Sequence, residues 1–260
     1  MRNPPLQFSH ANGFPASCYG AMLRELAPLY RLGAIEAIGT DPRYPVTDRW
    51  LYLVEQLEDE IERAWRGEPV LGVGHSLGGY VTFLAAARRP ELFRAIVLLD
   101  APIIGAIKGT LLGATKRFGI VDRVTPAGAT RDRRSEWPDR EEAKAHFRSR
   151  RLFRHFAGEC LDDYVRHGLV GAHGRLRLKI DPEIEYRIYR AVPHDMARYL
   201  KRLRVPAGFI GGADSDVIRR VGVAEMRRFS KRKVPGGHLF PLEHPRETAA
   251  AIIELLGELA

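Results

Sequence analysis

Short apolar runs alternate with amphipathic stretches along most of this chain. The runs lie at residues 6–9, 31–39, 70–75, 94–100 and 206–212, and a further short strand is expected near residues 232–234. The stretches between them carry apolar residues at helical spacing, at residues 17–30, 47–66, 80–89, 221–229 and 245–259. Continuous apolar runs are typical of strands that are buried on both faces of a parallel sheet. The pattern therefore predicts an α/β fold, with a doubly wound, mostly parallel sheet of about six strands.

The alternation stops after Pro102 and returns near Pro206. Residues 104–203 contain helical patterns at 140–156, 159–167, 183–190 and 194–202, with almost no strand signal. We interpret the chain as a core of residues 1–103 and 204–260, interrupted by a helical insertion of residues 104–203.

The charge of the chain is concentrated in this insertion. The net charge is +9, and residues 104–204 hold 23 Lys and Arg against 13 Asp and Glu, whereas the rest holds 18 against 19. A solvated helical surface is the favoured interpretation, and attraction of an anionic substrate or surface is the alternative. Nucleic-acid binding is not expected, because the basic residues do not alternate with aromatic residues and match no known nucleic-acid-binding motif.

Composition excludes several other classes of protein. With 260 residues and 45% hydrophobic content, the chain is of ordinary size for one globular domain. No run of 18 apolar residues occurs, so no membrane span is expected. The start lacks an apolar signal region, which makes the cytoplasm the expected location. Cys18 and Cys160 are too few for a disulfide framework or a metal cluster.

The strongest chemical motif follows the third apolar run. Residues 70–79 lead an apolar strand into Gly-x-Ser-x-Gly, with Ser76 between Gly74 and Gly78, and a helical pattern begins immediately afterwards. This strand–turn–helix context is typical of a nucleophile elbow, in which glycines allow the close approach of the neighbouring backbone. The alternative is a glycine-rich turn whose serine only caps the helix.

Candidate partners for Ser76 lie after later strands, at the same edge of the sheet. His238 follows the last strand and could accept the serine proton as general base. The acid that orients this histidine is less well defined by the sequence. Asp216 is the first choice, Asp214 the second and Asp100 the third.

Two backbone N–H groups are needed to stabilise an oxyanion. Leu77, directly after the candidate nucleophile, should supply one. The loop after the first strand contains Asn12-Gly13-Phe14, and we expect the N–H of Phe14 to supply the other. An ordinary Asn-Gly turn is the alternative there.

Together these segments resemble the α/β-hydrolase superfamily, and within it the small serine esterases. The resemblance is carried by residues 10–15, 74–79, 211–216 and 237–238 and spans the predicted core. It implies that the insertion forms a cap, or lid, over the site, and that the sheet has six strands, because the chain begins at what would be the third strand of the family. By analogy, an exposed lid face could also form a homodimer.

The resemblance implies a hydrolase that cleaves a carboxylic ester or thioester of a small molecule. A triad would act through an acyl-enzyme, without metal or organic cofactor. Two alternatives use the same residues, namely C–C bond hydrolysis and cofactor-free haloperoxidase chemistry. A third is a receptor that keeps the fold and turns over little.

Overall fold

A computed structural model of the chain describes residues 2–131 and 133–259. Its nine strands are β1 Pro5–Ser9, β2 Arg31–Ala34, β3 Val70–His75, β4 Phe93–Leu99, β5 Glu136–Trp137, β6 Leu169–Ala172, β7 Arg175–Leu178, β8 Ala207–Gly212 and β9 Ser230–Val234. The six strands outside the insertion form one parallel sheet in the order β2-β1-β3-β4-β8-β9. The prediction of a mostly parallel sheet of about six strands is confirmed.

Thirteen α-helices lie within the described residues. They are α1 Gly20–Leu26, α2 Leu51–Trp65, α3 Leu77–Arg88, α4 Ala106–Arg117, α5 Val121–Val124, α6 Ala127–Thr130, α7 Arg140–Ser149, α8 Gly158–His167, α9 Pro182–Arg190, α10 Met196–Leu200, α11 Asp216–Val221, α12 Phe240–Glu243 and α13 Pro245–Leu259. Short 3₁₀ turns occupy Ala16–Tyr19, Asp48–Trp50, Pro90–Leu92 and Arg151–Phe153. No helix in the described part of the chain is both long enough and apolar enough to cross a membrane.

The sheet separates two apolar cores, and the alternation of side chains along β4 shows how. Val97 and Leu99 pack on the side of α1 and α13, whereas Ile96 and Leu98 pack on the side of α2 and α3. Because both faces are covered, β3 and β4 are apolar along most of their length, the exceptions being the exposed Arg94 and the buried His75. This explains the apolar runs in their sequences.

The sequence predicts a helical segment between β4 and β8. The structure also contains strands there. Strands β5, β7 and β6 form a small antiparallel sheet among the helices α4 to α10. His173 and Gly174 join β6 to β7, and both have positive φ values, of 50° and 74°. This two-residue turn is a hairpin connection. Alternation of arginine and leucine in β7 was the sequence signal for it.

The helix predicted over 221–229 is also misplaced. The structure has α11 at Asp216–Val221, and Gly222, with φ of 78°, ends it. The strand predicted over 31–39 likewise ends early, at Ala34.

Candidate active site

Ser76 lies on a strained turn between β3 and α3. Its φ and ψ angles are 52° and −115°, a conformation that only a tightly determined turn imposes on a residue with a side chain. A Cβ atom on Gly78 would lie 2.1 Å from the carbonyl oxygen of Ser9, and one on Gly74 would lie 2.3 Å from that of Gly78. Both positions therefore require glycine, and the close packing holds Ser76 at the carboxyl end of the sheet.

The side chain of His238 reaches this serine from the loop after β9. Its Nε2 atom lies 2.9 Å from Oγ of Ser76, which is hydrogen-bonding distance. The imidazole is 30% exposed, so it is partly accessible to solvent.

The carboxylate that contacts His238 belongs to Asp100, directly after β4. Its Oδ2 atom lies 2.7 Å from Nδ1 of His238 and accepts a hydrogen bond of 2.5 Å from Oγ of Ser215. The other oxygen, Oδ1, accepts one of 3.0 Å from the N–H of Gly212. Asp100 is fully buried, and these donors replace the water that burial removes. The three side chains Ser76, His238 and Asp100 thus form one continuous hydrogen-bonded series.

The first choice for the acid, Asp216, is contradicted by this geometry. Its side chain is 66% exposed in the first turn of α11 and pairs with Arg219, which lowers its pKa. The second choice, Asp214, is exposed as well. The loop after β8 turns Ser215 inward instead, and this residue is almost completely buried. The loop therefore contributes a hydroxyl to the site rather than a carboxylate.

A sequence signal for Asp100 did exist. It ends a continuous apolar run and is followed by Ala101 and Pro102, so no nearby polar residue keeps it at the surface. A carboxylate in such a position is buried and must find donors elsewhere in the fold. No comparable signal marks Ser215 as the buried residue of its loop, because three polar side chains adjoin one another there.

The loop after β1 is held by a buried histidine. Nδ1 of His10 lies 2.8 Å from the carbonyl oxygen of Ala11, and its Nε2 accepts a hydrogen bond of 2.7 Å from the N–H of Ile38. Burial lowers the pKa of His10 to about 4, so the ring is neutral at neutral pH. It ties the loop to the segment that follows β2.

The two expected oxyanion donors differ in whether their N–H groups already have a hydrogen-bond acceptor. The N–H of Leu77, at the start of α3, has no acceptor among the described residues. The N–H of Phe14 already donates to the carbonyl oxygen of Ala11, at 3.1 Å, in a turn where Gly13 has φ of 79°. Phe14 could serve an oxyanion only if that bond were shared or broken.

The insertion (residues 104–203) packs on this loop. The ring of Phe14 lies 5.3 Å from that of Tyr164 in α8, between centroids, and Nδ2 of Asn12 donates to the carbonyl oxygen of Glu185 in α9 at 3.0 Å. The side chain of Glu185 is buried, pairs with Arg133 at 2.6 Å and has its pKa raised by burial. The insertion therefore contacts the loop adjoining the carboxyl end of the sheet, where Ser76 lies.

Residues 8–251 match the alpha/beta hydrolase family. This chain is an α/β-hydrolase. The prediction of that family from its motifs is confirmed.

Several relatives of this α/β-hydrolase are known. It is 25% identical over 229 residues to the abhydrolase domain-containing protein AFT2-1 of Alternaria alternata, an alignment that covers 72% of this chain and 82% of that protein. It is 32% identical over 117 residues to the type I acyl-CoA thioesterase mpaH of Penicillium brevicompactum, which covers 45% of this chain and 24% of the relative.

Solved structures share the fold over almost the whole chain. E-2-(acetamidomethylene)succinate hydrolase superposes with a TM-score of 0.78 at 19% identity, covering 98% of this chain and 92% of that one. The thioesterase domain from the curacin biosynthetic pathway has a TM-score of 0.73 at 18% identity, covering 97% and 92%. At such low identity the likeness establishes the fold of the α/β-hydrolase and not its substrate.

Proposed function

We propose that this α/β-hydrolase is a serine hydrolase that cleaves a carboxylic ester or thioester through an acyl-enzyme. The observation that carries the proposal is the series of hydrogen bonds from Asp100 through His238 to Ser76. A serine next to a base, with the base oriented by a third group, is the arrangement that activates a hydroxyl nucleophile.

The geometry supports a defined order of proton movements. His238 takes the proton from Oγ of Ser76 at its Nε2 atom while the oxygen attacks the carbonyl carbon of the substrate. Asp100, next to Nδ1, stabilises the imidazolium that results. That imidazolium then protonates the leaving alcohol or thiol, which departs as the carbon–oxygen or carbon–sulfur bond breaks. Water next attacks the acyl-enzyme and gives its proton to His238, and Ser76 recovers a proton from the same ring.

The negative charge of the tetrahedral intermediates must be stabilised by backbone N–H groups. Leu77 is one donor in this proposal, because its N–H is unoccupied within the described part of the chain and lies at the start of α3, where the helix dipole favours a negative charge. The turn of residues 11–14 supplies the second donor. Phe14 can fill this role if the substrate oxyanion takes over the hydrogen bond that Ala11 now accepts.

The insertion is the part of the molecule that we propose selects the substrate, acting as a cap over Ser76. Its contacts with Asn12 and Phe14, in the loop proposed to supply the second oxyanion donor, support this role. Its excess of basic residues favours a substrate with an anionic group at some distance from the ester. The relative named as an acyl-CoA thioesterase supports inclusion of thioesters in the test.

The test is hydrolysis of p-nitrophenyl esters from acetate to decanoate, and of the corresponding acyl-CoA thioesters, by wild type and Ser76→Ala. Ser149→Ala, which changes an exposed serine at the end of α7, is the matched control. We expect activity to vanish in Ser76→Ala and to persist in the control. An organophosphorus reagent should label Ser76 in the wild type, as read by mass spectrometry of the peptides.

Two results would replace the proposal with another. A wild type that is labelled at Ser76 but inert on every ester and thioester would favour C–C bond hydrolysis or haloperoxidase chemistry, tested with 1,3-diketones and with halide and peroxide. A wild type that is neither active nor labelled would favour a receptor with the hydrolase fold.

A further inference from the structure

A second hydrogen-bonded series runs beside the first and is completely buried. The hydroxyl of Tyr19 accepts a hydrogen bond of 3.2 Å from the N–H of Ala11 and lies 2.8 Å from Nδ1 of His75. On the other side of the same ring, Nε2 of His75 lies 2.9 Å from the carbonyl oxygen of His238. Tyr19 and His75 have no solvent exposure. The series therefore joins the loop after β1 to the backbone of the histidine that contacts Ser76.

The chemistry of these groups allows only one arrangement of protons. A carbonyl oxygen can only accept, so Nε2 of His75 must carry the hydrogen. In a neutral ring, Nδ1 is then the acceptor, and the hydroxyl of Tyr19 must donate to it. That hydroxyl in turn is free to accept from Ala11. Every donor in the series has an acceptor, and no proton can move without breaking a bond.

Burial keeps this arrangement neutral. It lowers the pKa of His75 well below the ordinary value, with a further contribution from His238, and it raises the pKa of Tyr19. The ring of His75 lies 5.2 Å from that of His238, between centroids. A charged His75 would repel the imidazolium that forms on His238. A neutral His75 does not oppose that protonation.

The hydrogen bond from His75 holds a peptide oxygen of this loop that the neighbouring bonds do not reach. The carbonyl oxygen of Gly236 accepts from the N–H of Asp214 at 2.9 Å, and the N–H of Gly237 donates to Glu243 at 2.8 Å, so the chain is held as far as residue 237. Asp100 and Ser76 bond only the side chain of His238. Among the described residues, His75 is the donor to its carbonyl group.

We propose that His75 and Tyr19 are positioning residues that hold the backbone of His238 and the loop of residues 11–14 in register with each other. The proposal rests on the proposed function, in which His238 is the general base. In this proposal His75, the residue before Ser76, affects catalysis only through His238. A small displacement of a catalytic group is enough to lower the rate strongly.

The test compares three substitutions by kcat, KM and melting temperature on the best ester. In His75→Gln, the amide nitrogen can reach the position of Nε2 and donate to the carbonyl oxygen of His238. In His75→Asn, the shorter amide reaches only the position of Nδ1. Tyr19→Phe removes one oxygen atom and leaves the ring in place. We expect kcat to fall about 10- to 100-fold in His75→Asn, with little change in KM. His75→Gln should recover part of this loss, because it restores the donor to His238 but not the acceptor for Tyr19. Tyr19→Phe leaves the bond from His75 to His238 in place and should lower kcat by less than His75→Asn.

A purely structural role would give a different pattern. It would lower the melting temperature of all three variants and leave kcat of the folded enzyme near that of the wild type, and that result overturns the proposal. So would equal losses of kcat in His75→Gln and His75→Asn. The double variant Tyr19→Phe with His75→Asn should lose no more than the worse single variant, because either change interrupts the same series.

Two measurements separate this proposal from the proposed function. If an organophosphorus reagent labels wild-type Ser76 and labels the variants at the same rate, the positioning role fails alone. If the wild type is not labelled, the proposed function fails and the positioning role with it. Nitrogen NMR of the histidine side chains should show His75 as the neutral Nε2–H form in the wild type, with its Nδ1 signal shifted in Tyr19→Phe. An Nδ1–H form would contradict the series of hydrogen bonds itself.

Discussion

Two neighbouring strands of the sheet, β4 and β8, are each followed by carboxylates, and the structure treats them in opposite ways. Asp100 follows β4, is fully buried and is held by three donors. Asp216 follows β8, lies at the surface and pairs with Arg219. Both loops lie at the edge of the sheet where Ser76 projects. A position at the correct edge of the sheet is therefore not sufficient for a carboxylate to reach His238. Burial and a set of donors determine which one can orient the histidine.

Of the variants in the loops after β4 and β8, Asp100→Asn and Asp216→Asn should differ most in kcat. The first change should lower kcat by about 10⁴-fold, because an amide cannot stabilise the imidazolium and favours the wrong tautomer of His238. The second should leave kcat within about twofold, since surface changes away from a site have small effects. The measurement is steady-state hydrolysis of the best ester, with circular dichroism to establish that both variants fold. Comparable losses of kcat in the two variants would show that burial does not distinguish the roles of Asp100 and Asp216.

Much of the fold follows from the sequence in a direct physical way. The apolar runs of β3 and β4 predict a sheet buried on both faces, and the glycines around Ser76 predict the close contacts found at residues 74 and 78. The hairpin of β6 and β7 was missed, because its alternation is short and lies in a segment dominated by helical patterns. A four-residue alternation is too short to predict a strand within a segment of helical patterns.

The candidate site was less accessible to sequence reasoning than the fold. Ser76 and His238 were placed together, as the loops after β3 and β9 allow. The geometry does not bear out the choice of Asp216 as the acid, because the turn after Gly212 directs a different side chain inward. That turn buries Ser215 and exposes Asp214 and Asp216, a result of three-dimensional packing that no local motif records.

Burial of His10 should make the free energy of unfolding depend on pH. Burial lowers the pKa of His10 to about 4 from an ordinary value of 6.5, so the unfolded chain binds more protons than the folded one between these values. The free energy of unfolding should therefore fall as the pH is lowered through 6.5 and level off below about 4. The loss from His10 alone should be about 3 kcal/mol. His75 acts in the same direction.

Urea unfolding at a series of pH values measures this effect. In His10→Gln the amide oxygen can still accept from the N–H of Ile38 but cannot titrate, so its curve should be flatter between pH 6.5 and 4. A decline of the same steepness in wild type and His10→Gln would show that acid unfolding is governed by carboxylates instead.

Ser215 offers a finer test of the loop after β8. Its hydroxyl donates to Asp100 and also accepts from the N–H of Ile218 as the N-cap of α11. Ser215→Ala should lower kcat about tenfold, since Asp100 loses one of its donors, and should destabilise the chain by about 1 kcal/mol through loss of the cap. Ser215→Thr keeps the hydroxyl and should recover both. Loss of stability without loss of kcat would limit Ser215 to the capping role.

The smallest expected effect belongs to the surface pair of the same loop. Arg219 is the main cause of the lowered pKa of Asp216, so Arg219→Ala should raise that pKa towards its ordinary value, as followed by NMR titration of the carboxylate. Because the pair is exposed and screened by water, kcat and the melting temperature should remain those of the wild type. A tenfold change in kcat would mean that the surface of the loop is coupled to Ser215 and Asp100. The exposed pair of the loop would then affect its buried residue Ser215. Asp216 would influence kcat as Asp100 does, only more weakly.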